Sequence, residues 1–344
     1  MTSTPTPRTA ADSLLRCDID LHAEGKAIGF VRQPHSVHRS AYGWIPTPIA
    51  RIARGTGPQV LLMAGNHGDE WEGQIALGEL IRELQPADIR GRLVILPSAN
   101  FPAASAGQRT SPIDDGNLNR SFPGDTHGSP TSQLAWWLEH VLLPGFDLVF
   151  DLHSGGSSLT YLPCVLAYRQ PEPAAMERLL RLARAFGAPV SFFSNAPSSG
   201  GRTTSAAALR QGVLGMATEC GGGNLVTAGS MALMRQGLRR VLHEIGLLEA
   251  ADLPAPAPTR LMQVGGDTHH VYAMERGLFE PLAEVGERVS AGQPAARLHF
   301  HDSPWREPAL LRFEIDATVL CKRVPAPCER GDCLYQLGTD WVPG

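Results

Sequence analysis

Lysine is nearly missing from this chain: Lys26 and Lys322 are the only two, so arginine carries almost all the positive charge. We read that bias as a trace of codon composition. Runs of like charge are missing too. With a net charge of -4 and both signs interspersed, the sequence has no basic footprint for nucleic acid and no patch for a membrane surface. No segment approaches the roughly 18 uninterrupted apolar residues of a membrane span, and Met1 to Asp12 holds no apolar leader core. A cytoplasmic protein acting on a small molecule is therefore expected. Paired CxxC spacing is also absent. Cys17, Cys164, Cys220, Cys321, Cys328 and Cys333 are scattered, which excludes a disulfide framework or thiolate metal site and leaves reduced thiols.

What is present is length and alternation. At 344 residues the chain exceeds the usual single domain, so two domains are expected. The apolar runs 59–64, 93–97 and 147–153 read as buried strands, and 213–219 as another. Between and after them lie helical patterns at 71–84, 132–143, 174–186 and 231–248, the first with Ile75, Leu77, Leu80, Ile81 and Leu84 on one face. Such alternation predicts an α/β fold, a largely parallel sheet flanked by helices, with its site beyond the carboxyl ends of the strands. Residues 1–12 are expected to be disordered and 13–250 to form the catalytic domain. The proline-rich stretch 251–258 would be a connector. Beyond it, short β-like segments at 270–274, 295–301 and 311–319 predict a smaller all-β domain over 259–344.

The chemistry concentrates in His67, Glu70 and His153. His67 and Glu70 stand three apart where the first strand passes into a helix, and a helical first turn would bring them together. His153 ends a second strand. Two imidazoles and one carboxylate make a three-ligand zinc set that leaves a position open for water, the arrangement of a catalytic centre. Asp151, on the same side of its strand as His153, is placed either to orient that imidazole or simply to cap or meet solvent. Glu219 ends an apolar strand before Cys220 and three glycines. It suits a general base, the alternative being a carboxylate that accepts bonds from the glycine loop's amides. Arg109, Asn119 and Arg120 lie in a polar loop, suited to an anionic substrate and a developing oxyanion, or else paired with Asp114 and Asp115 to pin the loop. His269, His270, His299 and His301 offer a second metal site only if they converge.

The ordered set Gly65-Asn66-His67-Gly68-Asp69-Glu70, Asn117-Leu118-Asn119-Arg120-Ser121-Phe122-Pro123-Gly124, Asp151-Leu152-His153-Ser154-Gly155-Gly156 and Glu219-Cys220-Gly221-Gly222-Gly223 resembles the succinylglutamate desuccinylase and aspartoacylase family, zinc deacylases related to the metallocarboxypeptidases. The resemblance spans most of residues 55–340. It implies a zinc-carboxypeptidase-like fold and one Zn2+ on His67, Glu70 and His153. It further implies Glu219 as base and acid, Asn119 and Arg120 on the substrate's α-carboxylate, and Arg109 polarising the acyl carbonyl. Ser111-Pro112 and His153-Ser154-Gly155-Gly156 look most like the branch that deacetylates Nα-acetyl-2,4-diaminobutyrate in ectoine degradation, although Cys220 stands where that branch is expected to carry an apolar residue. The implied reaction is hydrolysis of a small Nα-acyl amino acid, a homo-oligomer being compatible with it. The rivals are a metallocarboxypeptidase of short peptides, a non-catalytic zinc protein, and a carrier module suggested by the Gly286 to Gly292 turn. A carrier needs a modifiable lysine at that tip, and none is there.

Overall fold

The computed structural model of the protein describes residues 10–195, 199–249 and 253–343. Most of the N-terminal stretch expected to be disordered, and the start of the proline-rich connector, lie outside these residues. Its main feature is a large mixed sheet. From one edge the order is Arg16–Cys17, Gly25–Pro34, Trp44–Arg54, Gly91–Leu96, Gln59–Ala64, Leu148–His153, Leu214–Glu219, Cys164–Tyr168 and Val190–Ser194. It continues into Arg260–Gln263, Cys333–Asp340, Ala317–Arg323 and Arg288–Val289.

The centre of the sheet is parallel, as the alternation predicts. Gln59–Ala64 pairs in parallel with both Gly91–Leu96 and Leu148–His153, and Leu214–Glu219 runs parallel to Leu148–His153. The central strands are largely apolar because both of their faces are covered, with Asp151, His153, Thr218 and Glu219 only toward their carboxyl ends. Val60, Leu62 and Ala64 pack on one side with Leu77 and Leu80 of the Trp71–Glu83 helix and with the Pro173–Phe186 and Ala228–Glu244 helices. Leu61 and Met63 pack on the other side with Leu134, Ala135 and Ala207.

Several expectations are corrected. The face of the Trp71–Glu83 helix that meets the sheet is Gly73, Ala76, Leu77 and Leu80, whereas Ile75 is 40% exposed. Gly73 marks the closest approach: a Cβ there would lie 2.7 Å from the Leu152 Cβ, so the helix sits rotated toward its small residues. The segment 311–319 is not one strand. Ala309–Arg312 and Ala317–Arg323 belong to different sheets, separated by a turn that buries Phe313. The Ala228–Glu244 helix starts earlier than apolar spacing suggests, because Thr227 and Ser230 cap it reciprocally. The Pro130–Trp137 helix runs on into a wider turn at Leu138–Leu142. The hairpin of Gly25–Pro34 with Trp44–Arg54 extends the sheet antiparallel at one edge, and its strands carried no clear alternation in the sequence.

Toward the C-terminus lies a separate antiparallel sheet of Ala309–Arg312, Pro294–His299, Gly277–Pro281 and Pro327–Cys328. Phe279, Leu298, Phe313, Leu334 and Tyr335 form a core of its own. Arg260–Gln263 adds in parallel to Val190–Ser194 and antiparallel to Cys333–Asp340, so the C-terminal strands are hydrogen-bonded onto the main sheet.

Candidate active site

His67, His153 and Glu219 all emerge at the carboxyl ends of parallel strands, where open α/β sheets place their sites. Glu219 and His153 are direct register partners. His67 follows the Gln59–Ala64 strand through a tight turn. Gly68 is needed there because a Cβ would lie 2.0 Å from the Ala103 carbonyl, and its own N–H donates to the Gln108 carbonyl at 2.8 Å. Contrary to the expectation from the sequence, helical spacing does not bring the HxxE pair together. Glu70 is the extended residue that caps the helix without using its side chain for the cap, which leaves the carboxylate to turn back on both imidazoles.

The geometry of the three residues is tight. Glu70 Oε1 lies 2.7 Å from His67 Nδ1 and Glu70 Oε2 lies 2.7 Å from His153 Nδ1. The candidate ligand atoms all fall within 4.8 Å of one another, in side chains 3–5% exposed. The opposite edge of each ring has its own partner: Asn117 Oδ1 at 3.2 Å from His67 Nε2, and Asp151 Oδ2 at 3.0 Å from His153 Nε2. Each acceptor favours the tautomer with its proton on Nε2. Both Nδ1 lone pairs then converge with the Glu70 carboxylate, a donor set able to hold a metal ion. Among the described residues this is the only such cluster.

Asp151 is itself fixed. Asn66 Nδ2 donates to Asp151 Oδ2 and to Thr204 Oγ1, both at 2.9 Å. Thr204 in turn donates its N–H to Asn119 Oδ1 at 2.9 Å, so one buried network runs from the ring of His153 to the loop carrying Asn119 and Arg120. With its Oδ1 engaged, Asn119 turns Nδ2 to within 3.3 Å of His153 Nε2. Asn66, Asn117 and Thr204 had no role in the sequence reading, although the first two sit inside the motifs that carried it.

Electrostatics divide the acids. Burial opposes the charge of Glu70, but the two histidines hold it well below the usual carboxylate range. For His153 burial opposes the imidazolium, and Asp151 and Glu70 outweigh it to raise the ring well above its ordinary value. Burial lowers His67. Glu219 behaves oppositely to Glu70: burial, reinforced by the Glu70 charge, raises it well above the usual range. It borders the cavity while encircled by protein, and its Oε2 has no hydrogen-bond partner. No bond to it from the amides of Gly221 to Gly223 is seen among the described residues.

A cavity of about 650 Å³ opens over these groups, and Arg109, Asn119, Arg120, Tyr161, Tyr168 and Phe192 are among the residues that line it. Arg109 Nη1 stands 3.6 Å from Glu70 Oε1. Burial, and then the positive charge of Arg109, hold the Arg120 guanidinium below its usual range, which favours an anionic guest between them. Asp114 does not pin these arginines. It accepts instead from Thr131 N and Oγ1 at 2.7 and 2.8 Å. The C-terminal region supplies part of the wall through Val264, Gly265, Gly266, His270 and Gln336, a contribution sequence spacing could not reveal. The four C-terminal histidines do not converge: His299 pairs with Glu280 on the surface, while His269 reaches Thr339.

Residues 56–245 match the succinylglutamate desuccinylase/aspartoacylase catalytic domain. The chain belongs to this family. It is 36% identical over 328 residues to the N-alpha-acetyl-L-2,4-diaminobutyric acid deacetylase of Halomonas elongata, a match spanning 95% of this chain and 96% of that one. Among solved structures, the product-bound ectoine utilization protein EutE (DoeB) of Ruegeria pomeroyi superposes with a TM-score of 0.89 at 36% identity, covering 95% of this chain and 99% of that one. A succinylglutamate desuccinylase/aspartoacylase of Rhodobacter sphaeroides gives 0.90 at 35% identity, covering 96% and 100%. The family's carboxypeptidase-like α/β fold is thus the fold of this chain.

Proposed function

We propose that this family member is a zinc-dependent deacylase that hydrolyses the amide of a small Nα-acyl amino acid, with Nα-acetyl-2,4-diaminobutyrate as its substrate. The observation that carries the reading is the pair of Nδ1 atoms converging with Glu70 beside Glu219, whose buried Oε2 has no hydrogen-bond partner, in a cavity bordered by two arginines. The name of the Halomonas relative supports the choice of substrate.

His67, Glu70 and His153 would hold the zinc, which when bound supplies a Lewis acid and lowers the pKa of water in its open position. Arg120 and Asn119 hold the α-carboxylate, and Arg109 faces the acyl oxygen as it gains charge. Glu219 takes a proton from the attacking water. As the water oxygen bonds to the acyl carbon and the C–N bond breaks, Glu219 returns that proton to the leaving nitrogen, giving acetate and a free amino acid. A carboxyl that burial raises above the usual carboxylate range is suited to both directions of that transfer.

The catalytic unit 13–250, the connector 251–258 and the β unit 259–344 are part of this reading, as is a cytoplasmic location. Among the described residues no helix is long and apolar enough to cross a membrane. The test is acetate release by zinc-loaded and chelator-stripped protein over a panel of Nα-acetyl amino acids. Metal-dependent turnover of a small acetyl amino acid supports the deacylase, and Glu219→Gln should lower the rate by roughly 10² or more with metal retained. Efficient cleavage of a tetrapeptide would replace the reading with a carboxypeptidase.

A further inference from the structure

Asp69 is a buried carboxylate that the proposed chemistry leaves unused. It stands between Gly68 and Glu70 in a side chain 3% exposed, and among the described residues it forms no ion pair. Its Oδ2 accepts from Ser157 N at 2.8 Å and from Ser157 Oγ at 2.7 Å. The turn that follows His153 therefore hooks over it, so closely that a Cβ on Gly156 would lie 2.7 Å from the same oxygen.

That turn in turn holds the loop beyond Glu219. Asn224 N donates to the Gly156 carbonyl and Gly223 N to the Leu159 carbonyl, both at 2.8 Å, while the Gly221 carbonyl accepts from Gly155 N and Tyr161 N, both at 3.2 Å. A Cβ on Gly222 would lie 2.2 Å from the Leu159 carbonyl oxygen, so the segments 155–161 and 221–224 form one close layer. Gly155, Leu159 and Tyr161 line the cavity together with Glu219. Glu219 ends its strand just before the layer, and its buried Oε2 has no hydrogen bond. The seating of the packed segments, rather than a bond to that oxygen, must aim the carboxylate. Asp69 fastens the layer to the loop that carries His67 and Glu70. Two neighbouring links are longer, Ser154 N to Glu70 Oε2 at 3.4 Å and Trp71 Nε1 to Asn224 Oδ1 at 3.3 Å.

Building on the proposed deacylase, we propose that Asp69 is a positioning residue. By holding Ser157 it seats the layer 155–161 and 221–224 against the metal-ligand loop, and so sets where Glu219 and the cavity wall stand relative to His67 and Glu70. It acts through the backbone of that layer and exchanges no proton in the reaction. Its contribution is orientation, for which a displacement of about 1 Å can cost roughly 10²-fold in rate.

The experiment compares wild type, Asp69→Ala, Asp69→Asn and Ser157→Ala in two readouts: amide hydrogen exchange across 148–161 and 219–225, and kcat on Nα-acetyl-2,4-diaminobutyrate alongside the Kd for zinc. In Asp69→Ala exchange should quicken at both 155–161 and 221–224 while the buried strand at 148–152 stays as protected as in wild type. Its kcat should fall by roughly tenfold or more with the zinc Kd within about threefold. Asp69→Asn keeps an oxygen for both Ser157 donors and should restore both readouts toward wild type. Ser157→Ala removes one of the two bonds and should give the same pattern at smaller amplitude, which decides the matter if Asp69→Ala does not fold. Faster exchange confined to 155–158, an unchanged kcat, a loss of rate explained by zinc dissociation alone, or silence of Ser157→Ala in both readouts would overturn the proposal. If the wild type hydrolyses no acetyl amino acid, the proposed reaction fails, and the exchange pattern by itself decides whether Asp69 seats the layer.

Discussion

Asp151→Asn should weaken zinc binding by about 10- to 100-fold, and the structure says why. Asp151 Oδ2 serves two donors, the Nε2–H of His153 at 3.0 Å and Asn66 Nδ2 at 2.9 Å, in a side chain 2% exposed. An asparagine can still offer one oxygen to both. Its amide nitrogen then falls where Asp151 Oδ1 now lies, a buried position without a partner, and the negative charge that makes the imidazole a stronger ligand is gone. Loss of such an outer partner typically costs 10- to 100-fold in metal affinity, about 1.4–2.7 kcal/mol. Asp151→Ala should sit at or beyond the upper end, since it leaves His153 Nε2 and Asn66 Nδ2 both without that oxygen. Competition titration against a zinc chelator, with a thermal melt of each metal-free variant to separate folding from binding, measures the effect. A Kd for Asp151→Asn within threefold of wild type would refute the claim that Asp151 sets the His153 tautomer.

Other outcomes follow from particular contacts. Gly68→Ala forces a Cβ to 2.0 Å from the Ala103 carbonyl and should cost about 1–3 kcal/mol or more in denaturant unfolding. Gly78→Ala, on the helix beside it with only Arg82 Nη1 at 3.4 Å, should stabilise by about 0.5–1 kcal/mol; equal effects at the two positions would contradict the packing described. Burial opposes the charge of Asp114, but donors led by the Thr131 amide hold its carboxyl below the usual range. Asp114→Ala should therefore cost about 1–2 kcal/mol above pH 5. The gap should close as pH falls below about 4, the unfolded value, and on through the lower folded one, which melts of both proteins across pH will show. Zinc at about a thousandfold over its Kd should stabilise the fold by about 4 kcal/mol, a rise in Tm of roughly 5 °C for a chain of this length, reversed by chelator.

The sequence by itself determined the parallel centre of the sheet, because strands covered on both faces must be largely apolar and so announce themselves at 59–64, 148–153 and 214–219. It also located His67, Glu70 and His153, whose residue types and strand-end positions leave few other uses. The tertiary structure decided what depends on neighbours distant in the chain. Asn117 and Asp151 set which ring nitrogens face inward, Asn66 and Thr204 tie the two motif loops together, and burial beside Glu70 alone separates Glu219 from an ordinary glutamate. The hairpin at 25–54 and the wall at His270 and Gln336 were likewise illegible. Their strands are short or half-exposed, and whether a polar side chain faces water or a cavity is settled by which strand pairs beside it.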